Sequence, residues 1–292
     1  MTKRNLGPFR VSGIGFGEMP LSIPGRPSRE QAIEALTAGL DAGIDFIDTA
    51  FGYRDPLDAE CHGEVLVAEA LAGWNGPKEQ VLVATKGGHY RHPHETPPAW
   101  PLCGDPRWIV SCAKASALTL GVDAIDLYYY HRPDPLVPWA ESVGALADLL
   151  SQGVIRWAGV SNADRDQIIE ARGILGDKLV AVQNSFSVLN PASKPELDLC
   201  GELGLAFVAY APVGGRDKAT GLADSAAALV PVAQAHGVSV YQVALAWILA
   251  QGEHVFAIPG ARRPASILDS YAAVDLVLAP QELAAIDQAV GL

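Results

Sequence analysis

The sequence is poor in charged residues and cysteines, and it lacks a long apolar run. Charged residues make up 18% of the 292 positions, below the average of about 25% for globular proteins, and 49% are hydrophobic. A chain of this composition can bury a large core, so we do not expect it to be disordered. The most apolar stretch, residues 238–250, is too short to cross a bilayer. The four cysteines form no CxxC pair, which argues against a zinc ribbon and favours free thiols in a reducing cytoplasm.

The net charge is −12, because 33 acidic residues outnumber 21 lysines and arginines. Affinity for nucleic acids comes from phosphate neutralisation, so this balance argues against a nucleic-acid binder and against binding to an anionic membrane. It does not exclude an anionic ligand in a locally basic pocket. The first residues contain no apolar core typical of a secretory signal, so we expect a cytoplasmic protein.

Short β-type runs alternate with helix-type segments along the whole chain. Eight runs are mostly apolar, as in strands covered on both faces, at 13–16, 43–48, 81–85, 125–130, 155–160, 179–183, 205–210 and 254–258. Helix-type segments lie between and after them, at 28–42, 63–72, 106–120, 138–152, 164–175, 194–203, 238–251, 264–274 and 280–290. The first begins with Ser28 and has Gln31 three residues later, a capping-box pattern.

This alternation predicts right-handed βαβ units around a parallel sheet. Eight such units in 292 residues fit a closed (β/α)8 barrel better than an open sheet. No GxGxxG follows the first run, which argues against a doubly wound dinucleotide-binding fold. We therefore predict one barrel domain over residues 1–292, with an extra C-terminal helix.

Polar residues stand where most of the predicted strands end. In a parallel barrel these ends meet at one rim, where barrel enzymes hold their active sites. Tyr53 lies in the loop five residues after Asp48. The residues at the strand ends are Asp48, Lys86, His131, Ser161, Asn162, Gln183, Asn184 and Tyr210.

Four of these residues predict carbonyl reduction. A phenol is a poor acid at neutral pH, since its ordinary pKa is about 10. The Lys86 cation favours the phenolate of Tyr53 and lowers its pKa, which makes the phenol a better proton donor. Asp48 keeps Lys86 charged, and His131 orients a carbonyl oxygen beside the phenol. Oxidation of an alcohol follows the same path in reverse.

Eight segments resemble the aldo-keto reductases in their order and spacing. They are GIGFGEMPLS near the start, GIDFIDTAFGY (43–53), ATKGG (84–88), IDLYYYHRPD (125–134), GVIRWAGVSN (153–162), AVQNSFSVLN (181–190), AYAPVGG (209–215) and IPGARRP (258–264). The resemblance covers nearly the whole chain and implies a (β/α)8 barrel and an NAD(P)H-dependent reductase. The catalytic positions that it implies are Asp48, Tyr53, Lys86 and His131.

The resemblance also implies a nicotinamide dinucleotide, which supplies the hydride. Its carboxamide is implied to bind Ser161, Asn162 and Gln183, and its pyrophosphate to lie in the loop 211–216. Tyr210 is implied to stack on the nicotinamide ring. The full cofactor set is Gly17, Asp48, Ser161, Asn162, Gln183, Tyr210, Ala211, Pro212, Val213, Gly214, Gly215, Gly260, Arg262, Ser266 and Ser270.

The cofactor preference is expected to depend on Arg262. By resemblance this residue meets the adenosine 2′-phosphate, and a planar cationic fork suits phosphate. We therefore expect NADP(H) to be preferred, with NAD(H) possible. Many bacterial relatives carry Gln and Asn where this chain has Ser266 and Ser270.

The longest irregular stretch, residues 87–105, follows the third predicted barrel strand and so faces the catalytic rim. Aromatic residues often form pocket walls. We predict that this stretch helps to enclose the substrate, which binds Tyr53, His131, Tyr90, Trp100 and Trp108.

His89, His92 and His94 have a spacing compatible with zinc ligands. Loop spacing alone does not establish the convergent geometry of a metal site. We interpret these histidines as part of a polar loop and predict no metal.

Two other functions stay open. A sugar or polyol dehydrogenase would use the same residues for oxidation with NAD or NADP. A non-catalytic NADPH-binding regulatory subunit, like the potassium-channel β subunits that share the implied fold, would need the cofactor site alone. Because all four catalytic positions are present, we predict an enzyme that acts on a small carbonyl or alcohol substrate. We expect a monomer or a weak homo-oligomer.

Overall fold

The computed structural model describes residues 3–55, 57–90, 101–215 and 219–292. The first two strands form an antiparallel hairpin, and the next eight form a parallel sheet in chain order. The strands are β1 (Lys3–Leu6), β2 (Phe9–Ser12), β3 (Phe16–Gly17), β4 (Phe46–Asp48), β5 (Leu82–Gly87), β6 (Ile125–Tyr130), β7 (Ile155–Ser161), β8 (Leu179–Ser185), β9 (Ala206–Tyr210) and β10 (Val255–Ala257).

Backbone hydrogen bonds between the two edge strands of the parallel sheet, β3 and β10, close the barrel. The amide of Gly15, just before β3, donates to the carbonyl oxygen of Ala257 in β10 at 2.9 Å. The Ala257 amide in turn donates to the Gly13 carbonyl oxygen at 3.0 Å. Since β3 to β10 pair with their neighbours in parallel, these contacts complete a (β/α)8 barrel and confirm the predicted fold.

Helices surround the barrel and include the predicted extra helix at the C-terminal end. They are α1 (Arg29–Ala42), α2 (His62–Gly73), α3 (Pro106–Leu120), α4 (Trp139–Ser151), α5 (Arg165–Leu175), α6 (Lys194–Leu203), α7 (Leu222–Ser225), α8 (Leu229–His236), α9 (Val240–Ala250), α10 (Pro264–Ala272) and α11 (Pro280–Val290). The sequence pattern misses α7 and α8, whose N-caps make no side-chain hydrogen bond. Within the described ranges no single helix is long and apolar enough to cross a membrane. Helices α8 and α9 together have the length and composition of a membrane span, but they are bent by 103° relative to each other.

The hairpin of β1 and β2 covers the N-terminal end of the barrel, and the sequence pattern does not predict it. Leu6 and Val11 are buried there and join the interior cluster that contains Phe46. Gly7 has a φ of 56°, and a Cβ added to it would lie 2.7 Å from the Cβ of Val180. Each strand has four residues and at most two buried positions, which is too short a pattern to detect.

Helix α1 shows how the local sequence sets the ends of an element. The Ser28 hydroxyl accepts a hydrogen bond from the Gln31 amide at 3.3 Å, and the Gln31 side chain accepts one from the Ser28 amide at 3.1 Å. This confirms the predicted capping box. Gly43, with a φ of 107°, ends the helix in the left-handed region. The turn that follows delays β4, which begins at Phe46 rather than at residue 43.

Apolar side chains fill the barrel from the hairpin end up to its middle. Phe46, Leu82, Leu127 and Val208 are buried in this interior cluster. A larger apolar layer packs the outer face of the strands against the helices, with Trp247 fully buried in it. Towards the carboxyl ends of the strands the interior side chains become polar, and a cavity opens there.

Candidate active site

A cavity of about 970 Å³ lies at the carboxyl ends of the barrel strands. This is near the upper end of the range of about 300–1,000 Å³ that is typical of ligand pockets. Fifteen of the predicted site residues line it, namely Gly17, Asp48, Tyr53, His131, Ser161, Asn162, Gln183, Tyr210, Ala211, Pro212, Val213, Gly215, Gly260, Arg262 and Ser266. The barrel therefore gathers into one cavity residues that are far apart in the chain.

Asp48 and Lys86 form a buried ion pair at the base of the cavity. Lys86 Nζ donates to Asp48 Oδ2, and the two side chains are 0% (Lys86) and 2% (Asp48) exposed. The same ammonium donates to the Thr49 carbonyl oxygen at 2.7 Å and to Tyr53 Oη at 3.4 Å. Burial lowers the pKa of Lys86, and the adjacent Asp48 carboxylate opposes that shift. Three acceptors thus hold the ammonium in one place.

The Tyr53 phenol is 7% exposed and lines the cavity above the ion pair. Burial raises its pKa well above the ordinary value, and the carboxylates of Asp48 and Glu18 raise it further. The pKa of Tyr53 is therefore raised overall, in contrast to the lowering expected from Lys86, because burial disfavours the phenolate and both carboxylates repel it. At neutral pH the phenol keeps its proton, which is the form that can act as an acid.

His131 follows β6, and its ring contacts two other rings in the site. It packs edge-to-face against Tyr53, with centroids 5.7 Å apart, and against His89, with centroids 4.5 Å apart. Burial lowers the pKa of His131 well below its ordinary value, and the nearby His89, Lys86 and Arg132 lower it further. The imidazole is therefore neutral at pH 7. Its Nδ1 is buried and makes no hydrogen bond within the described part of the chain.

A chain of side-chain hydrogen bonds joins the ends of β7, β8 and β9 to Asp48. Gln183 Nε2 donates to Asp48 Oδ1 at 2.7 Å. Ser161 Oγ donates to the Gln183 carbonyl oxygen at 2.7 Å and accepts from Asn162 Nδ2 at 3.0 Å. Tyr210 Oη donates to Asn162 Oδ1 at 2.6 Å. Asn162 has a φ of 59°, a strained conformation for a residue with a side chain, and such strain concentrates at functional sites.

The loop after β9 forms one wall of the cavity with an unusual backbone. Ala211 has a φ of 50°, and Gly214 and Gly215 have φ values of 89° and 75°. Three positive φ angles within five residues make a tight loop whose glycines let a ligand approach the backbone closely. Gly214 lines a smaller cavity of about 230 Å³ beside the main one, together with Ala211.

Two predicted glycines bring the ends of β3 and β10 together. A Cβ on Gly17 would lie 2.6 Å from the Ile258 carbonyl oxygen. A Cβ on Gly260 would lie 2.5 Å from Pro20 Cγ. Arg262 continues from this contact, and its Nε donates to the Pro20 carbonyl oxygen at 3.3 Å. Close packing of backbone at this corner therefore places the arginine at the cavity.

The start of α10 carries the cationic end of the cavity. Arg262, Arg263 and Ser266 line it. Ser270 lies one turn further along α10 and is not among the described residues of the cavity wall. Of the two serines in the predicted cofactor set, Ser266 therefore lines the cavity, whereas Ser270 lies one helical turn away from it.

Two of the aromatic residues predicted to enclose the substrate do not share the described cavity wall with the predicted catalytic residues. Tyr90 and Trp108 pack edge-to-face with centroids 6.2 Å apart, and neither belongs to the cavity wall formed by the described ranges. Trp108 also packs against Phe51, with centroids 5.7 Å apart. Trp100 lies outside the described residues.

The histidines after β5 form no metal site in the part of the chain that the structure describes. His89 is buried, lines the cavity, and its Nδ1 lies 3.1 Å from the Pro101 carbonyl oxygen. His92 and His94 lie outside the described residues. Those that are described include no group of three His, Cys, Asp or Glu side chains placed to hold a metal ion.

The predicted site set omits three titratable residues that lie at the site just after barrel strands. His89 and Arg132 line the cavity, and Glu18 is fully buried beside the ion pair. Each follows the end of a barrel strand within two residues. Adding the two positions after each predicted strand to the candidate set would have found Glu18 and Arg132. It would not have found His89, because the observed strand β5 continues to Gly87, two residues beyond its predicted end.

The sequence model of the aldo/keto reductase family matches residues 13–290. The chain belongs to this family. It is 35% identical over 272 residues to a 6-dehydroglucose reductase of Novosphingobium aromaticivorans, covering 89% of this chain and 85% of that protein. It is 32% identical over 310 residues to a probable aldo-keto reductase 1 of Glycine max, covering 97% of this chain and 86% of that protein.

Solved structures of other aldo/keto reductases share the fold. The glycerol dehydrogenase of Gluconobacter oxydans matches with a TM-score of 0.84 and 26% identity, over 99% of this chain and 95% of that chain. An aldo-keto reductase of Klebsiella pneumoniae in complex with NADPH matches with a TM-score of 0.78 and 27% identity, over 99% and 95% respectively. The family assignment makes this protein an NAD(P)H-dependent oxidoreductase and confirms the resemblance seen in the sequence.

Proposed function

We propose that this aldo/keto reductase reduces aldehydes or ketones to alcohols with NADPH, and that Tyr53 donates the proton to the carbonyl oxygen. One observation carries the proposal. The protonated Tyr53 phenol contacts the buried pair of Asp48 and Lys86 at the base of a large cavity. When bound, the cofactor supplies the hydride that the carbonyl carbon accepts.

Tyr53 is the general acid in this proposal. As its proton moves to the carbonyl oxygen, negative charge develops on Oη, 3.4 Å from Lys86 Nζ. Asp48 and the Thr49 carbonyl already hold that ammonium, so it stabilises the phenolate without reorganising. His131 is neutral and orients the carbonyl oxygen by a hydrogen bond rather than by charge. Solvent returns the proton to Tyr53 after the alcohol leaves.

The polar side chains on β7 and β8 fit the nicotinamide end of the cofactor. Ser161, Asn162 and Gln183 line the cavity and supply the amide and hydroxyl groups that a carboxamide needs. Tyr210 lines the same wall, with its hydroxyl bonded to Asn162 Oδ1 at 2.6 Å. We assign the three polar residues to the carboxamide and the Tyr210 ring to stacking.

The glycine-containing loop and the two arginines fit the phosphate end. Residues 211–215 offer a backbone with positive φ angles, which suits close approach to a pyrophosphate. Arg262 and Arg263 concentrate positive charge in a chain with a net charge of −12. Because a guanidinium matches phosphate geometry, we assign Arg262 to the 2′-phosphate and propose NADP(H) as the preferred cofactor.

Tyr53→Phe tests the proposed acid, because it removes the hydroxyl and keeps the ring. We expect kcat for benzaldehyde reduction to fall by at least about a hundredfold, the usual contribution of a general acid. The Kd for NADPH, measured by tryptophan fluorescence, should change less than about twofold. Oxidation of benzyl alcohol with NADP should fall in parallel, because the same residues act in both directions.

Tyr271→Phe is the matched control. Its hydroxyl donates to the Gly43 carbonyl oxygen at 2.8 Å, between α10 and the end of α1. This variant should keep wild-type kcat. Near-normal turnover by Tyr53→Phe would refute the proposed acid, and failure of the wild type to bind NADPH would remove the hydride source.

A further inference from the structure

Arg132 lines the cavity near Tyr53 and His131 and has no acidic partner among the described residues. It directly follows His131, and its guanidinium makes no hydrogen bond or ion pair with any described residue. Arg54, next to Tyr53 in the chain, differs in this respect. Its side chain is buried and donates to Glu60 Oε1 at 2.8 Å. Arg132 is exposed at the cavity wall, so its guanidinium is accessible to a molecule bound there, and a local positive charge of this kind favours an anionic ligand.

The charge of Arg132 acts on the groups that would meet the substrate. Burial raises the pKa of Tyr53 and lowers that of His131, and the Arg132 cation lowers both. A cation affects both groups in this way only when it lies near them. Among the described residues of the cavity wall, Asp48 is the one carboxylate, and it already accepts hydrogen bonds at both of its oxygens. It is not positioned to neutralise Arg132.

The barrel keeps Arg132 apart from the arginines assigned to the cofactor. Arg132 follows β6, whereas Arg262 and Arg263 follow β10. These strands are four positions apart in an eight-stranded barrel, so they lie on opposite walls. The cavity therefore has two separate cationic ends. The proposed 2′-phosphate accounts for one of them, and the end beside His131 needs another anion.

We propose that Arg132 is a specificity-determining residue that binds an oxyanion on the substrate, so that the preferred substrates are aldehydes or ketones carrying a carboxylate or a phosphate. The proposal rests on the carbonyl reduction proposed above and names the substrate class for the same site. A guanidinium presents a planar fork of donors that matches both oxyanions in a bidentate geometry. Because Arg132 lines the same cavity as His131 and Tyr53, it selects substrates whose anionic group reaches the guanidinium while the carbonyl lies at Tyr53.

The test compares two aldehydes that differ in charge at one position. These are 4-formylbenzoate and its methyl ester, each reduced with NADPH. The measured quantity is the ratio of kcat/KM for the anion to kcat/KM for the ester. The variants are Arg132→Met and Arg132→Lys. Arg10→Met is the control, because Arg10 is exposed on β2 at the opposite end of the barrel and its loss changes the net charge equally.

The wild type should prefer the anion, and Arg132→Met should lower the ratio about ten- to a hundredfold, or about 1.4 to 2.7 kcal/mol. The ratio for Arg132→Lys should lie between those of the wild type and Arg132→Met, since an ammonium keeps the charge but loses the bidentate fork. Arg10→Met should keep the wild-type ratio. Added salt should lower the wild-type preference more than that of Arg132→Met. A parallel pair, glyceraldehyde 3-phosphate and glyceraldehyde, shows whether phosphate or carboxylate is favoured.

Two outcomes would overturn the proposal. One is a wild-type ratio at or below one for both substrate pairs. The other is an equal loss of kcat/KM for the anion and the ester in Arg132→Met. If this variant also binds NADPH more weakly while its anion-to-ester ratio is unchanged, Arg132 contacts the cofactor instead of the substrate.

Calorimetric binding of terephthalate to the NADP-loaded protein gives a readout that does not depend on turnover. Suppose that the wild type binds terephthalate, that Arg132→Met does not bind it, and that the wild type reduces neither aldehyde. In that case the proposed reductase function fails and the oxyanion site stands. If both aldehydes are reduced without preference and terephthalate does not bind, then the oxyanion site fails and the reductase stands.

Discussion

Glu18 is a fully buried carboxylic acid next to the ion pair of Asp48 and Lys86, and its titration should be visible in the stability of the fold. It follows β3, and its carboxyl accepts hydrogen bonds from the Ser22 hydroxyl and from Thr49 Oγ1, the latter at 3.0 Å. Burial raises its pKa from 4.5 to about 7, although both hydroxyls and Lys86 lower it. Glu18→Gln keeps the shape and hydrogen-bonding capacity of the side chain and removes the titration.

The sign of the effect follows from proton binding. Between pH 4.5 and pH 7 the folded protein holds the Glu18 proton more tightly than the unfolded chain does. The contribution to stability is therefore complete below about pH 4.5 and is lost as the pH rises through about 7. The difference between a pKa of 4.5 and one of about 7 corresponds to about 3 kcal/mol, most of which is lost between pH 5 and pH 8. Glu18→Gln should lack this loss.

The assay is urea unfolding followed by tryptophan fluorescence at pH 5, 6, 7 and 8. We expect the free energy of unfolding of Glu18→Gln, relative to the wild type, to rise by about 2–3 kcal/mol from pH 5 to pH 8. Glu34→Gln, at an exposed position of α1, is the control and should follow the wild type. Parallel curves for wild type and Glu18→Gln over this range would refute the reasoning, because they would show that Glu18 ionises alike in both states.

Two further predictions concern the ion pair and the cofactor. Lys86→Met leaves the Asp48 carboxylate buried without its cation, so the free energy of unfolding at pH 7 should fall by about 3–5 kcal/mol in urea titrations. The exposed Lys114→Met should change it by less than about 0.5 kcal/mol, and a similar loss in both variants would contradict the role of the pair. Arg262→Ala should raise KM for NADPH by about tenfold or more while changing KM for NADH much less, as measured by initial rates. Equal changes for the two cofactors would argue against a contact between Arg262 and the 2′-phosphate.

Features that depend on neighbours in the chain could be predicted from the sequence. The capping box of Ser28 and Gln31 needs residues three apart, and it is present at the start of α1. The hairpin at the N-terminal end was missed because its burial comes from the barrel above it. Gly7, for example, packs against Val180, which is distant in the chain.

Part of the site could be predicted for a topological reason. Parallel strands must end on the same side of a barrel, so Asp48, Lys86 and His131 were expected to converge, and they do. The direction of the Tyr53 pKa shift was not predictable in this way. It depends on how much water the folded chain removes from the phenol and on the nearby carboxylates of Asp48 and Glu18, which also raise the pKa.

The sequence by itself determined the eight barrel strands and most of the helices between them, the barrel and the family, because these depend on periodicity and on motifs at fixed spacing. Only the tertiary structure decided which polar residues share one cavity, and which of them are charged there. It placed Arg132 beside His131, with no acidic partner in the part of the chain that the structure describes, and buried Glu18 beside the ion pair. The physical reason is that desolvation and through-space electrostatics depend on distances between residues far apart in the chain, which the order of amino acids does not show directly.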